Sequence, residues 1–441
     1  MTEIFENKYF RFIISTFFVF VFIFTRSFMG VYIFGFRIGE IAIFISLLIL
    51  LLFSLIFRKN SSLTLFENQK INKTLILILF TFLINTYFSE SKLTDPYTYK
   101  ASSYIWVFGF FYLGYLTTIN FKFQKRIFNL SLFILIYIYF VAINDLPIKF
   151  QQFVLTISDK YEPHKGSDIL IMFIAIMFIF TRINTKRIGI EVLCVFSFLF
   201  FPLLLYKSRG AFISLVLYFL LEVIYNRKIL LNSTFFRNIS LIFVSTFVLL
   251  QSVFFVTQSG TLKVSIANEK INQVAQYRAP EIKPGEYVNY LYRKDGRFYS
   301  TDVNINWRIQ IWQDVFDDTQ KDNTFLLGNG YSEKIPAMAA LDFEGNSVRS
   351  GLDGMNENVH NFLINIYARG GIIHLFLFLA LFFFMIKESK YQNGSFSVLI
   401  FLLPVLFCSF FDASMENSHF PLILYFLLGL NLNGKTVFDK I

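Results

Sequence analysis

Cysteine is almost absent from this chain of 441 residues: Cys194 and Cys408 are the only two, and both fall inside apolar runs. No disulfide framework or cysteine-based zinc site is available to it. Charge is scarce as well, at 16% of residues, where an ordinary soluble domain carries about 25%. Histidine occurs four times, at 164, 360, 374 and 419, without the HExxH spacing that puts two imidazoles on one helical face around zinc. The first apolar run follows Lys8 and Arg11 but lacks a small-residue cleavage site. It reads as a retained span, not a removed signal peptide. No internal repeat is visible.

What the chain does contain is apolar side chain. Hydrophobic residues make up 55% of it, aromatic residues 20%, and Phe alone occurs 61 times. Such a composition over this length describes a polytopic membrane protein. Apolar runs cover residues 11–28, 31–57, 74–88, 104–119, 127–143, 168–182, 188–206, 210–225, 238–256, 362–386, 396–411 and 419–432. The expected fold is therefore all-α, with about twelve transmembrane helices and one large loop. Three regions result: a membrane domain at 1–256, the loop at 257–361, and C-terminal spans at 362–441. In the second run Arg37 and Glu40 are expected at the interface, with the core of the span starting near Ile41.

The net charge of +10 raises the possibility of a nucleic-acid partner, and its location argues against one. Residues 257–361 hold 11 Lys/Arg and 14 Asp/Glu, so the large loop is negative. The positive excess lies in alternate short connections, including Lys122, Lys125 and Arg126, then Arg182, Lys186 and Arg187, then Arg227, Lys228 and Arg237. Under the positive-inside rule that side is cytoplasmic. The opposite, external side receives 89–103, 144–167, the corner at 207–209, the large loop, and 412–418. Within the loop, residues 264–274 and 305–316 have helical apolar spacing. Leu327-Gly328-Asn329-Gly330-Tyr331 reads as a turn, and Pro280, Pro284 and Gly285 read as interruptions.

Some motifs carry no chemistry. Gly429 through Gly434-Lys435-Thr436 matches the phosphate-loop pattern by letter. It straddles the end of an apolar run, where no strand-loop-helix can cradle phosphate. Asp317-Asp318 fits a solvated helix end better than a metal site. Gly35 and Gly39 have the small-xxx-small spacing that brings helices close.

Three external features can do more. Lys207-Ser208-Arg209-Gly210-Ala211 puts an arginine at a corner between two apolar runs. There its planar fork suits phosphate oxygens, though a simple interfacial anchor would look the same. Trp307-Arg308-Ile309-Gln310-Ile311-Trp312 puts Arg308 and Trp312 on one helical face, for holding headgroups, stacking on a sugar, or only packing an amphipathic helix. Glu357-Asn358-Val359-His360-Asn361-Phe362-Leu363 sets a histidine at a membrane boundary. An imidazole with an ordinary pKa of about 6.5 can accept a proton near neutrality, and it can equally be structural.

Taken in order, Ser208-Arg209-Gly210, the Arg308 and Trp312 pair, Gly328-Asn329-Gly330, His360-Asn361-Phe362-Leu363 before Gly370-Gly371, and Glu416-Asn417 resemble the O-antigen ligase and polymerase superfamily. The resemblance covers residues 200–430. Arg369 departs from it, standing where an acidic or neutral residue is expected. The resemblance implies a GT-C-like membrane glycosyltransferase in the bacterial inner membrane, with its active site facing the periplasm. It implies a glycan donor linked to undecaprenyl diphosphate, and no metal or other cofactor. It implies that His360 is the base on the acceptor hydroxyl, that Arg209 and Arg308 bind diphosphate, and that Ser208, Trp312, Asn361 and Glu416 support them. A ligase would use a lipid A core or similar acceptor, and a polymerase a lipid-linked repeat. Protein O-glycosylation is a third acceptor reading. A transporter or flippase would also fit twelve spans, but such proteins often have repeated halves and intramembrane binding groups, whereas here one loop dominates, no repeat is visible and most candidate polar groups cluster externally.

Overall fold

The computed structural model describes residues 8–57, 69–93, 95–120, 125–158, 161–162, 164–228, 234–275, 290–332, 334–339 and 358–432. Pro280, Pro284, Gly285 and Gly434-Lys435-Thr436 lie outside these residues. The first helix, α1 (Lys8–Met29), leads through a hairpin of two short strands, β1 (Tyr32–Ile33) and β2 (Phe36–Arg37), into α2 (Ile38–Phe57). The apolar run at 31–57 is thus split, and its helical part starts at Ile38, just after Arg37, with Glu40 in its first turn. After α3 (Gln69–Phe88) come three pieces, α4 (Pro96–Ala101), α5 (Ser103–Trp106) and α6 (Gly109–Asn120). Next are α7 (Lys125–Asn144), α8 (Ile148–Ile157), α9 (Gly166–Ile183), α10 (Lys186–Lys207) and α11 (Arg209–Tyr225). The long α12 (Phe235–Ala275) precedes a hairpin of β3 (Leu291–Lys294) and β4 (Arg297–Ser300), then α13 (Val303–Lys321) and the short α14 (Pro336–Ala339). The chain closes with α15 (Phe362–Asn393), α16 (Leu399–Ser409), a 3-10 turn at Ser414–Glu416, and α17 (His419–Leu432).

The chain is mostly helical, and every apolar run of the sequence falls largely on helix. Among the described residues, five helices contain stretches long and apolar enough to cross a membrane: Phe12–Met29, Lys70–Phe88, Lys186–Lys207, Phe236–Gln258 and Phe362–Asn393. A sixth is the pair α7 and α8, bent by 104°. Asp145 sits in the left-handed region at the bend, and Pro147 precedes α8. The second helix, α8, turns away from α7 at that bend. It exposes Ile148, Phe153 and Leu155.

The central element is α9. Residues 169–180 are buried all round, the signature of a helix enclosed by other helices. At the periphery, α12 exposes Ile242, Phe243, Phe247 and Leu250, surface that lipid rather than water would cover. Small residues set the tightest crossings. A Cβ on Gly114 of α6 would lie 2.1 Å from the Phe426 carbonyl of α17, and one on Gly429 would lie 2.0 Å from the Phe111 carbonyl. The same packing joins α2 to α6, where Ser46 Oγ donates to the Trp106 carbonyl and accepts from the Gly109 amide.

A break in α15 at Gly371, whose φ is 69°, ties that helix to the turn at 325–330. The break frees backbone groups, and buried backbone groups must find partners. The turn at 325–330 supplies them. Asn329 and Gly330 amides donate to the Ala368 and Arg369 carbonyls at 2.8 and 3.0 Å, and the Ile372 amide donates to the Phe325 carbonyl at 3.0 Å. Asn85 of α3 adds a donor to the Leu327 and Arg369 carbonyls. A Cβ on Gly371 would lie 2.1 Å from the Leu326 carbonyl oxygen, and one on Gly328 only 2.4 Å from the Arg369 backbone. The two glycine pairs of the sequence thus meet each other.

Candidate functional site

Six helix ends converge on the three polar features singled out in the sequence. At the α10–α11 corner, Ser208 caps α11, its hydroxyl accepting from the Ala211 amide at 3.4 Å. The first turn of α9 presses on that corner, since a Cβ on Gly166 would lie 2.6 Å from the Ser208 Cβ. The end of α16 closes the other side, with Phe411 Cβ 3.2 Å from where a Gly210 Cβ would stand. Arg209 projects from this corner, 79% exposed, and donates from Nη1 to Asp302 at 3.2 Å. Asp302 also caps α13, its other oxygen accepting from the Ile305 amide at 3.1 Å. One carboxylate therefore ties the corner to the helix that carries Trp307, Arg308 and Trp312.

Burial pushes the Arg308 guanidinium below the usual range, while the charges of Asp412 and Asp302 oppose that. A guanidinium keeps its charge even so. Its Nε is buried with no hydrogen-bond partner among the described residues, as is Trp307 Nε1. Buried donors of this kind are costly unless something accepts from them.

His360 stands in the left-handed region, at φ 52°, which a histidine tolerates better than a branched side chain. Its neighbours hold the corner. Val359 is fully buried in a small core with Ile311, Val315 and Met338, and its carbonyl accepts from Trp312 Nε1 at 2.7 Å. Asn361 caps α15, its side chain accepting from the Ile364 amide at 3.1 Å. The imidazole meets the Trp307 ring edge-on, with centroids 5.1 Å apart. Burial lowers its pKa to about 4; Arg308 and Lys165 push the same way, while Asp412 opposes them. Near neutral pH the ring is therefore uncharged and can accept a proton.

The structure brings Ser208, Arg209, Arg308, Trp312, His360 and Asn361 into one cluster. Glu416 is placed differently. It is buried on the 3-10 turn, its carbonyl accepting from Ser103 Oγ at 2.8 Å, and it lines a separate cavity with Arg369 and Asn358. Sequence reasoning missed Asp302, Asp412 and Lys165. Asp302 had a local signal, an acidic residue just before helical apolar spacing. Asp412 and Lys165 had none, because only the fold brings them to His360. Also missed was a buried network behind the cluster. Tyr331 bonds Tyr104 at 3.1 Å and His374 Nδ1 at 3.0 Å, and Arg369 donates to Tyr97 at 3.1 Å.

No curated protein matches the chain. Residues 192–379 match the family model described as O-antigen ligase. The matched segment holds Arg209, Arg308, His360 and both glycine pairs; Asp412 and Glu416 lie beyond it. The match spans under half of the chain, so this part is similar to an O-antigen ligase domain, and five of the described helices are long and apolar enough to cross a membrane.

Proposed function

We propose that the chain is a membrane glycosyltransferase of the ligase type. In this reading it moves a glycan from undecaprenyl diphosphate to an acceptor hydroxyl, on a lipid A core or similar molecule, at the periplasmic face of the inner membrane. Twelve spans with the 257–361 loop outside would place the cluster on that face. The observation that carries the reading is the meeting of two arginines with an uncharged, half-buried imidazole. Diphosphate needs positive charge as it departs, and fixed cations in a partly dehydrated site stabilise developing anionic charge well.

In the reaction the acceptor oxygen attacks the anomeric carbon while the bond from that carbon to the phosphate oxygen breaks. The electron pair leaves with the lipid diphosphate, and the hydroxyl proton passes to His360. Arg209, exposed and held by Asp302, can turn to the diphosphate. Arg308 offers its buried Nε from the other side. No metal or cofactor is required for these roles. Trp312 and Asn361 set the position of the base, and Ser208 sets that of Arg209.

A polymerase that joins lipid-linked repeats would use the same donor chemistry, and is the second reading. Deletion followed by glycolipid gel analysis separates them. Loss of all attached polymer, with lipid-linked chains accumulating, supports the ligase; attachment of a single repeat supports the polymerase. If His360→Ala keeps full transfer in purified membranes, the base assignment is wrong.

A further inference from the structure

We propose that a cavity between α1, α2 and α4 binds a phosphorylated membrane lipid, at a site separate from the Arg209, Arg308 and His360 cluster. The cavity measures about 820 Å³, within the roughly 300–1,000 Å³ of small-molecule sites. Its walls divide by chemistry. The polar part of the lining holds the cations Arg26, Arg37, Lys100 and Arg369 and the carboxylates of Glu40 and Glu416. Arg26 is taken by Glu162 at 2.7 Å, and cations still outnumber acids when Glu162 is included. Arg369, 1% exposed, has its Cζ 5.6 Å from the centre of the Tyr97 ring and donates to the Tyr97 hydroxyl and the Gly330 carbonyl. A guanidinium locked in place presents a fixed fork, which suits phosphate oxygens. His419 also lines the cavity. Its Nε2 bonds Asp168 at 2.8 Å, and its buried Nδ1 has no hydrogen-bond partner among the described residues.

The other wall is apolar: Ile41, Ile43, Phe44 and Leu47 of α2. At 1.5 Å per residue, the distance from Glu40 to Leu47 is about 10 Å along the helix. Glu40 lies in the first turn of α2, so this wall descends from the polar end along the span. Phe44 lines the cavity and is 67% exposed, apolar surface of the kind that an acyl or polyprenyl chain would cover. A soluble anion would gain nothing from that wall, whereas an amphiphile with a phosphate head matches both ends. Asn358, two residues before His360, forms part of the lining, so the head of such a lipid would sit beside the segment that carries the imidazole.

This inference rests on the reading of the chain as acting on lipid-borne substrates, and the test separates the two. The full-length protein in phosphatidylcholine nanodiscs is titrated with radiolabelled geranylgeranyl diphosphate, and the bound equivalents are counted. Two equivalents are expected for the natural sequence. Arg37→Gln with Lys100→Gln should weaken one of them by about tenfold or more, as loss of charge-assisted hydrogen bonds does. The other equivalent should persist, which reports that the variant is folded. Arg209→Gln with Arg308→Gln should have the complementary effect. A single equivalent sensitive only to the Arg209 and Arg308 changes would overturn the cavity proposal and leave the donor reading standing. A single equivalent sensitive only to Arg37 and Lys100 would do the reverse. Inorganic diphosphate competing for the cavity equivalent as well as the lipid does would also overturn it.

Discussion

The state of His360 makes a sharp prediction about pH. With an ordinary pKa of about 6.5, a catalytic imidazole would be roughly three-quarters protonated at pH 6, and kcat/KM would fall about fourfold from its plateau. Burial instead lowers the His360 pKa to about 4. At pH 6 only about 1% of the ring is then charged, and kcat/KM, which reports the free enzyme, should be flat from pH 8 down to about 5. The donor changes this, since its diphosphate brings negative charge beside the ring and favours the imidazolium. The acid limb of kcat, which reports the bound complex, should therefore lie at higher pH than that of kcat/KM. Two substitutions move the free-enzyme limb in opposite directions. Arg308→Gln removes a cation that lowers the pKa, so the limb rises; Asp412→Asn removes an anion that raises it, so the limb falls. The assay is transfer from a synthetic polyprenyl-diphosphate glycan in nanodiscs, with initial rates taken across pH 4–8. Coincident limbs near 6.5 for both parameters would refute the reasoning. Stability carries the same sign. Between about pH 4 and 6.5 the unfolded chain binds a proton that the folded site resists, so stability falls as pH falls through that window. His360→Gln should abolish this component of the melting-temperature profile.

Other substitutions test the frame around the cluster. Trp312→Phe removes the 2.7 Å bond to the buried Val359 carbonyl; it should cost about 1–3 kcal/mol and lower kcat roughly ten- to hundredfold, with donor KM little changed. Asp302→Asn keeps a competent cap but releases Arg209, so the melting temperature should hold and donor affinity should not fall; Asp302→Ala also loses the cap, about 1 kcal/mol, read by thermal denaturation. Glu222 is fully buried in α11 and pairs with Arg182 at 3.0 Å. Glu222→Gln should destabilise by about 3–5 kcal/mol, seen as a lower aggregation temperature in detergent. Gly371→Ala combines left-handed backbone with a clash at the Leu326 carbonyl; a loss of about 2–5 kcal/mol should show as reduced recovery of folded protein on size-exclusion chromatography.

Much of the helical layout was legible because apolar length is a strong signal: residues 188–206 lie inside α10, and 362–386 inside α15. The interruptions were not legible. Residues 31–37 are nearly as apolar as the start of α2, yet they form a hairpin, because turn geometry there depends on Phe34 and Gly35 taking positive φ. The bend before α8 was missed because apolar spacing does not say where a helix turns. At the site, His360 and Arg308 stood out as charged or titratable types at a boundary, and the Asp302 cap was readable in principle. Glu416 was grouped with them by order along the chain, and the fold sends it to the cavity instead.

By itself the sequence determined that this is a helical membrane protein, where its apolar runs fall, and which basic and titratable residues lie between them. Those properties are local, being matters of side-chain solvation and chain length. Only the tertiary structure decided which of these residues meet. It put the 325–330 turn into the break of α15, since the freed backbone groups there need partners. It also brought Asp412 and Lys165 to His360, which together with burial sets the charge of the imidazole. A pKa depends on distances across the fold and on exclusion of water, and neither is written in the order of residues.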